Sequence, residues 1–261
     1  MRVALTEVGR CGRLDLVFAF RGGQTVLSDS YCEVPFKITR VLQTARAATA
    51  HLILMQCTPG LFGGDTVEFN VRVERGARVR ITQQSATRVH PSEGREAVQT
   101  SRIHVDSGGE LDLILEPVIP FAGSRLRQST FIHVEPGGRL LFWEGLMAGR
   151  VGSGEVWKFS ELCSETCVRS SERLLYLDRF HVLPECANPS ATWVMNEGVY
   201  VGTGLRFGED AVPFAEGLHA ALPEAGVDIL EDGLVAARIV TADGPAFHRC
   251  RDAWEGVRIP D

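Results

Sequence analysis

The chain has 261 residues, 44% of them hydrophobic, a formal net charge of −6 and an isoelectric point near 5.7. This is apolar enough for a large core. It argues against a phosphate-backbone binder, because the Lys and Arg residues are dispersed and form no basic run. The apolar run around His51 to Met55, like every other in the chain, is far too short to span a bilayer, and Glu7 and Arg10 interrupt the start before a signal-type segment forms. Seven scattered cysteines, an odd number, fit a reducing compartment better than a disulfide framework. The expectation is therefore a cytoplasmic protein that binds neither membrane nor nucleic acid.

In chain order, Leu14, Leu16, Phe18 and Phe20 alternate with Asp15, and Val67, Phe69, Val71 and Val73 alternate with Glu68, Asn70 and Arg72. This period of two predicts strands. Three segments then repeat one pattern: 71–81, 103–113 and 132–142, each a strand, a glycine turn and a second strand. Gly76, Gly108 and Gly137 take equivalent places and supply the positive φ of a tight turn. The period of about 30 residues is that of stacked β-units, none of which buries its apolar face alone. His104 and His133 occupy matching repeat positions and are expected to face outward. The stretch from Pro184 to Pro189 reads as a loop, and Trp193 to Phe207 as a further hairpin about Gly202 and Gly204. Helices are predicted near Pro213–Leu222 and Pro245–Val257; in the second, Phe247, Cys250, Trp254 and Val257 share a face and Pro245 suits the first turn. The fold expected is all-β: stacked sheets or a β-solenoid-like body of repeated hairpins with about two C-terminal helices. It forms a single domain over 1–261, with its repeat core at about 60–160 and its two helices within 190–261.

Motifs for chemistry are sparse. Gly60-Leu61-Phe62-Gly63-Gly64-Asp65-Thr66 is glycine-rich, but Asp65 stands where a phosphate-binding loop needs lysine. Gly202-Thr203-Gly204 lies in no βαβ unit, which a dinucleotide site requires. Cys163, Cys167, His181 and Cys186 could be assembled into a zinc site, though their spacing is not that of a zinc knuckle. No nucleophile elbow is present and no carboxylate pair stands out, so nothing demands an enzyme. Two other functions compete: a β-sandwich metal-binding enzyme, which would need paired histidines that are lacking, and a ligand-binding β-domain stacking its ligand on Trp143, Trp157, Trp193 and Trp254.

Several blocks together resemble the UreD (also UreH) urease accessory family. These are 12–18 (GRLDLVF), 35–37 (PFK), 60–65 (GLFGGD), 81–90 (ITQQSATRVH), 116–125 (EPVIPFAGSR), and Gly149-Arg150 with Gly154-Glu155. They stand in family order between about Cys11 and Phe159. Arg88 departs from a common lysine, and no motif follows Leu174.

The resemblance implies an all-β body with two helices and a role rather than a reaction. It implies a maturation scaffold that binds UreF, and through it the GTPase UreG, on apo-urease while nickel is installed. The assembly would be a hetero-oligomer without a tightly bound cofactor, and nickel would be in transit along an internal passage. A passing divalent ion needs weak, exchangeable oxygen ligands. Asp65, Thr82, Ser85, Glu116 and Glu144 lie in or beside the blocks and are the candidates, Asp65 foremost because no sequence neighbour explains its carboxylate. Arg125 is the expected partner of Glu116. On the terminal helix, Arg249, Arg251 and Trp254 are candidate partner contacts, the alternative being that the apolar face packs on its own sheet.

Overall fold

The computed structural model describes residues 9–44, 49–191, 194–230 and 233–257. Strand follows strand: β1 (Cys11–Arg21), β2 (Gln24–Cys32), β3 (Phe36–Ile38), β4 (Leu42–Gln43), β5 (Ala50–Gln56), β6 (Thr66–Val73), β7 (Arg78–Gln83), β8 (Thr87–Val89) and β9 (Ala97–Val105). Then come β10 (Glu110–Ile114), β11 (Val118–Pro120), β12 (Arg125–Val134), β13 (Arg139–Met147), β14 (Glu161–Ser170), β15 (Arg173–Val182) and β16 (Tyr200–Phe207). The chain closes with α1 (Ala211–Ala221), β17 (Gly226–Leu230), β18 (Leu234–Thr241) and α2 (Gly244–Gly256).

Two sheets face each other. One has the order β15-β14-β12-β9-β6-β1-β2, the other β17-β18-β16-β13-β10-β7-β5-β3. Within the first, β1, β6, β9, β12 and β14 run parallel; within the second, β5, β7, β10 and β13 do. The chain thus winds through a β-solenoid of about four turns, closed at its ends by antiparallel strands.

The predicted repeats are its turns, with one correction: their arms are not hairpins. β6 pairs with β1 and β9, while β7 pairs with β5 and β10, so the glycine turn carries the chain from one sheet to the other. Each arm finds its hydrogen bonds in the same arm of the next repeat. Gly76, Gly108 and Gly137 have φ of 77°, 74° and 81°. They stack as a backbone ladder, Gly76 N donating to Gly108 O at 3.1 Å and Gly108 N to Gly137 O at 3.0 Å. Equal left-handed turns are what keep successive coils in register.

Alternation places Leu14, Leu16, Phe18, Phe69, Val71, Ile81, Ile103, Leu113, Ile132 and Phe142 in one buried core between the sheets. A second core lies on the outer face of the second sheet, where Trp143 meets Phe214, Leu218, Phe247 and Trp254 of the helices. Both predicted helices form. Asp243 caps α2, its Oδ1 accepting from Ala246 N at 2.7 Å, with Pro245 in the first turn. The hairpin expected about Gly202 and Gly204 is instead the single strand β16, and Trp193 lies outside the described residues. A Cβ on Gly202 would lie 2.6 Å from the Trp143 ring, and one on Gly204 2.7 Å from that of Trp254. These glycines make room for indoles rather than for a turn. No helix among the described residues is long and apolar enough to cross a membrane.

Candidate functional site

Inward positions of a two-sheet solenoid should be apolar, and on the early coils they are: β6 presents Val67 and Phe69. On the later coils the same rungs become polar. Gln99, Gln128 and Ser164 align across β9, β12 and β14, and Ser101, Thr130 and Thr166 align on the rung beside them. Ser101, Thr130, Ser164 and Thr166 are all buried. The second rung continues to Asp178 on β15. On the opposing sheet Glu144, Thr203 and Arg238 align across β13, β16 and β18. A polar seam therefore runs between the sheets at the end of the solenoid, and an ion pair between Arg238 and Asp178 ties the sheets together there.

Glu144 is the seam's central charge. Its Oε1 accepts from Thr166 Oγ1 at 2.9 Å and its Oε2 from Gln128 Nε2 at 3.3 Å. The carboxyl is enclosed by protein, yet solvent still reaches part of the residue. Burial pushes its pKa up to about 7, against the opposing pull of the Thr166 hydrogen bond and the Arg238 charge. Such a group exchanges a proton near neutral pH and can take up or release a divalent cation in its place. The hydroxyl and amide oxygens along the rungs are weak, hard donors of the kind that let a cation move on. Gln99 Oε1 is buried without a protein partner and adds an unclaimed acceptor.

Of the five path candidates, Glu144 alone lies on this seam. Asp65 is buried, but its carboxylate is accounted for: Oδ1 accepts from Arg10 N at 2.9 Å and Oδ2 from Phe62 N at 2.8 Å. The unexplained carboxylate expected there is corrected by that local turn. Thr82 bonds His51 Nε2 at 2.9 Å, Ser85 is exposed on a bend, and Glu116 pairs with Arg251 of α2 at 2.6 Å. Arg125 is not its partner; it pairs with Glu161. Arg251 therefore fastens the helix to the body, also reaching Glu255 at 3.6 Å. Trp254 is fully buried against the sheet, which withdraws it as a partner contact, whereas Arg249 is exposed. Trp143 and Trp157 are buried too, so these tryptophans offer no stacking platform. His104 and His133 do face outward, stacked at 4.9 Å.

Four of the sequence blocks, 60–65, 81–90, 116–125 and the 149–155 pair, meet at one edge of the solenoid. Leu61 bridges Val89 in parallel fashion, which lays the Phe62 ring on His90 at 4.3 Å. Phe121 packs edge-on to His90 at 5.0 Å, and the Arg150 guanidinium sits 4.5 Å over Phe121. Glu155 holds Arg150 through Nε at 2.8 Å and accepts from Ala122 N at 3.1 Å. Arg150 and that backbone N–H hold the Glu155 carboxyl down to about 2. Gly60, at φ 149°, permits the close backbone approach, since a Cβ there would collide with Arg88 O.

The profile of the UreD urease accessory protein family matches residues 10–260. A urease accessory protein UreD of Deinococcus radiodurans is 36% identical over 261 residues, covering 98% of this chain and 93% of that protein. One of Cupriavidus necator is 32% identical over 95% of this chain and 89% of its own length. One of Lysinibacillus sphaericus is 30% identical over 76% of this chain and 74% of its own. With the match running from the first solenoid strand to the terminal helix, the chain belongs to the UreD urease accessory protein family.

Proposed function

We propose that this protein is a non-enzymatic scaffold of urease maturation that assembles with UreF, and through UreF with the GTPase UreG, on apo-urease in the cytoplasm. Nickel, the cargo, passes along the seam between the sheets. Membership of the family supports the role in urease maturation. The observation that carries the ion path is the enclosed, partly solvated Glu144, poised near neutral pH among hydroxyl and amide oxygens. An ion held by one exchangeable carboxylate and weak neutral ligands is not trapped, which is what transit requires. The absence of a lysine-bearing phosphate loop in the sequence leaves the nucleotide chemistry to UreG.

Co-purification tests the assembly. A tagged chain should retain UreF, and should retain UreG only when UreF is co-expressed. Direct capture of UreG without UreF, or failure to hold UreF, would overturn the order of assembly.

A further inference from the structure

We propose that Glu161, Cys163 and His181, on the outer face of the first sheet, form a binding site for one borderline divalent transition ion of the zinc class. The site is separate from the interior seam, and its existence does not depend on the proposed function. β14 and β15 run antiparallel with Cys163 directly opposite His181. Glu161 lies two residues before Cys163 and so projects from the same face. One ligand atom from each of the three lies within 4.8 Å of the others. No other such trio is found among the described residues. Two of the four residues that the sequence offered for zinc are thus brought together, while Cys167 is buried and Cys186 lies exposed in a loop. A carboxylate that the sequence did not single out completes the set.

The geometry suits a small ion. His181 Nε2 is 2.9 Å from Glu161 Oε1, and Cys163 Sγ is 3.9 Å from the same oxygen. Metal–ligand bonds of about 2.0–2.3 Å in a tetrahedral site set ligand atoms about 3.5 Å apart. The present distances straddle that value, so small side-chain rotations suffice. The carboxylate is also oriented in advance: Arg125 engages Oε2, which leaves Oε1 facing the thiol and the imidazole. Such outer hydrogen bonds commonly aim a metal-bound carboxylate. The neighbouring cations are already balanced, Arg127 by Glu96 at 3.0 Å and Arg179 by Glu165 at 2.7 Å. Thiol and imidazole select against magnesium and calcium and favour zinc, cobalt or nickel. On binding, the Cys163 thiol proton leaves to solvent and the thiolate becomes the ligand. Burial raises that thiol's pKa, so the ion must displace a proton the thiol would otherwise keep at neutral pH. With His181 half exposed, the fourth position opens to solvent and the bound ion is exchangeable.

The test is titration of the reduced, metal-free full chain with Co2+, read by the thiolate-to-cobalt charge-transfer band and the visible d–d bands. One equivalent should develop both, and Zn2+ should bleach them. Cys163→Ser should abolish the charge-transfer band, and His181→Ala and Glu161→Gln should each weaken binding at least tenfold. Cys186→Ser should leave the titration unchanged. Far-UV circular dichroism of each variant should match the parent. The exposed His181 and the isosteric Glu161→Gln keep the test alive if Cys163→Ser folds poorly. No band at stoichiometric Co2+, a band that survives Cys163→Ser, or unchanged affinity in both His181→Ala and Glu161→Gln would overturn the site.

Discussion

Replacing Glu144 by Gln isolates the electrostatic cost of the seam. Glutamine keeps the shape and the acceptor for Thr166, and the Gln128 amide can turn over to face the new donor. In the folded chain the carboxyl is raised from 4.5 to about 7. The folded state therefore binds this proton more tightly than the unfolded one. Stability from this group is full below about pH 4.5 and is lost as pH rises towards 7, levelling off above it. Across that window the loss is about 3 kcal/mol at most, and less to the extent that water reaches the group. Urea unfolding of both proteins at pH 5, 6, 7 and 8 cancels the titration of all other groups in the difference. The Glu144→Gln variant should gain on the parent by up to about 2.5 kcal/mol between pH 5 and pH 8. A difference that stays constant with pH would refute the raised carboxyl and with it the reason for placing a cation there.

Three other perturbations probe the frame. Gly76→Val should cost about 1–3 kcal/mol in urea unfolding, through its left-handed φ rather than a clash, because the nearest atom to an added Cβ is Phe20 Cβ at 3.6 Å. Trp254→Ala should cost about 3–5 kcal/mol, since the indole is fully buried among Trp143, Phe214 and the β16 backbone; a neutral change would return this helix face to partner binding. Arg150→Ala should let the Glu155 carboxyl rise from about 2 towards the usual range, followed by carboxyl carbon NMR shifts against pH.

The solenoid was legible because its signal is local: a period of two, and glycines at matching places in three copies. The route of the chain after each glycine was not. Alternation tells which residues share a face, but pairing is decided by strands about 30 residues away. The same limit hid the seam. Gln99, Gln128 and Ser164 each look like an ordinary polar interruption of a strand, and only register lines them up. One clue stood just before each repeat: the positions that carry Val67 and Phe69 on an early coil carry glutamine, serine or threonine on later ones. Asp65 is the opposite case. Its partner Phe62 N lies only three residues back, a side-chain-capped turn the local sequence permits. The pairing of Glu116 with Arg251, across 135 positions, had no such local sign.

The most direct measurement is nickel per urease active site after co-expression with the complete set of accessory proteins. Urease matured with the intact chain should be loaded, and urease matured without it should emerge poor in nickel. Glu144→Ala should leave the complex with UreF and UreG intact while lowering the nickel content. Fully loaded urease in the absence of this chain would contradict the assignment to urease maturation, and full loading with Glu144→Ala would contradict the seam as the path.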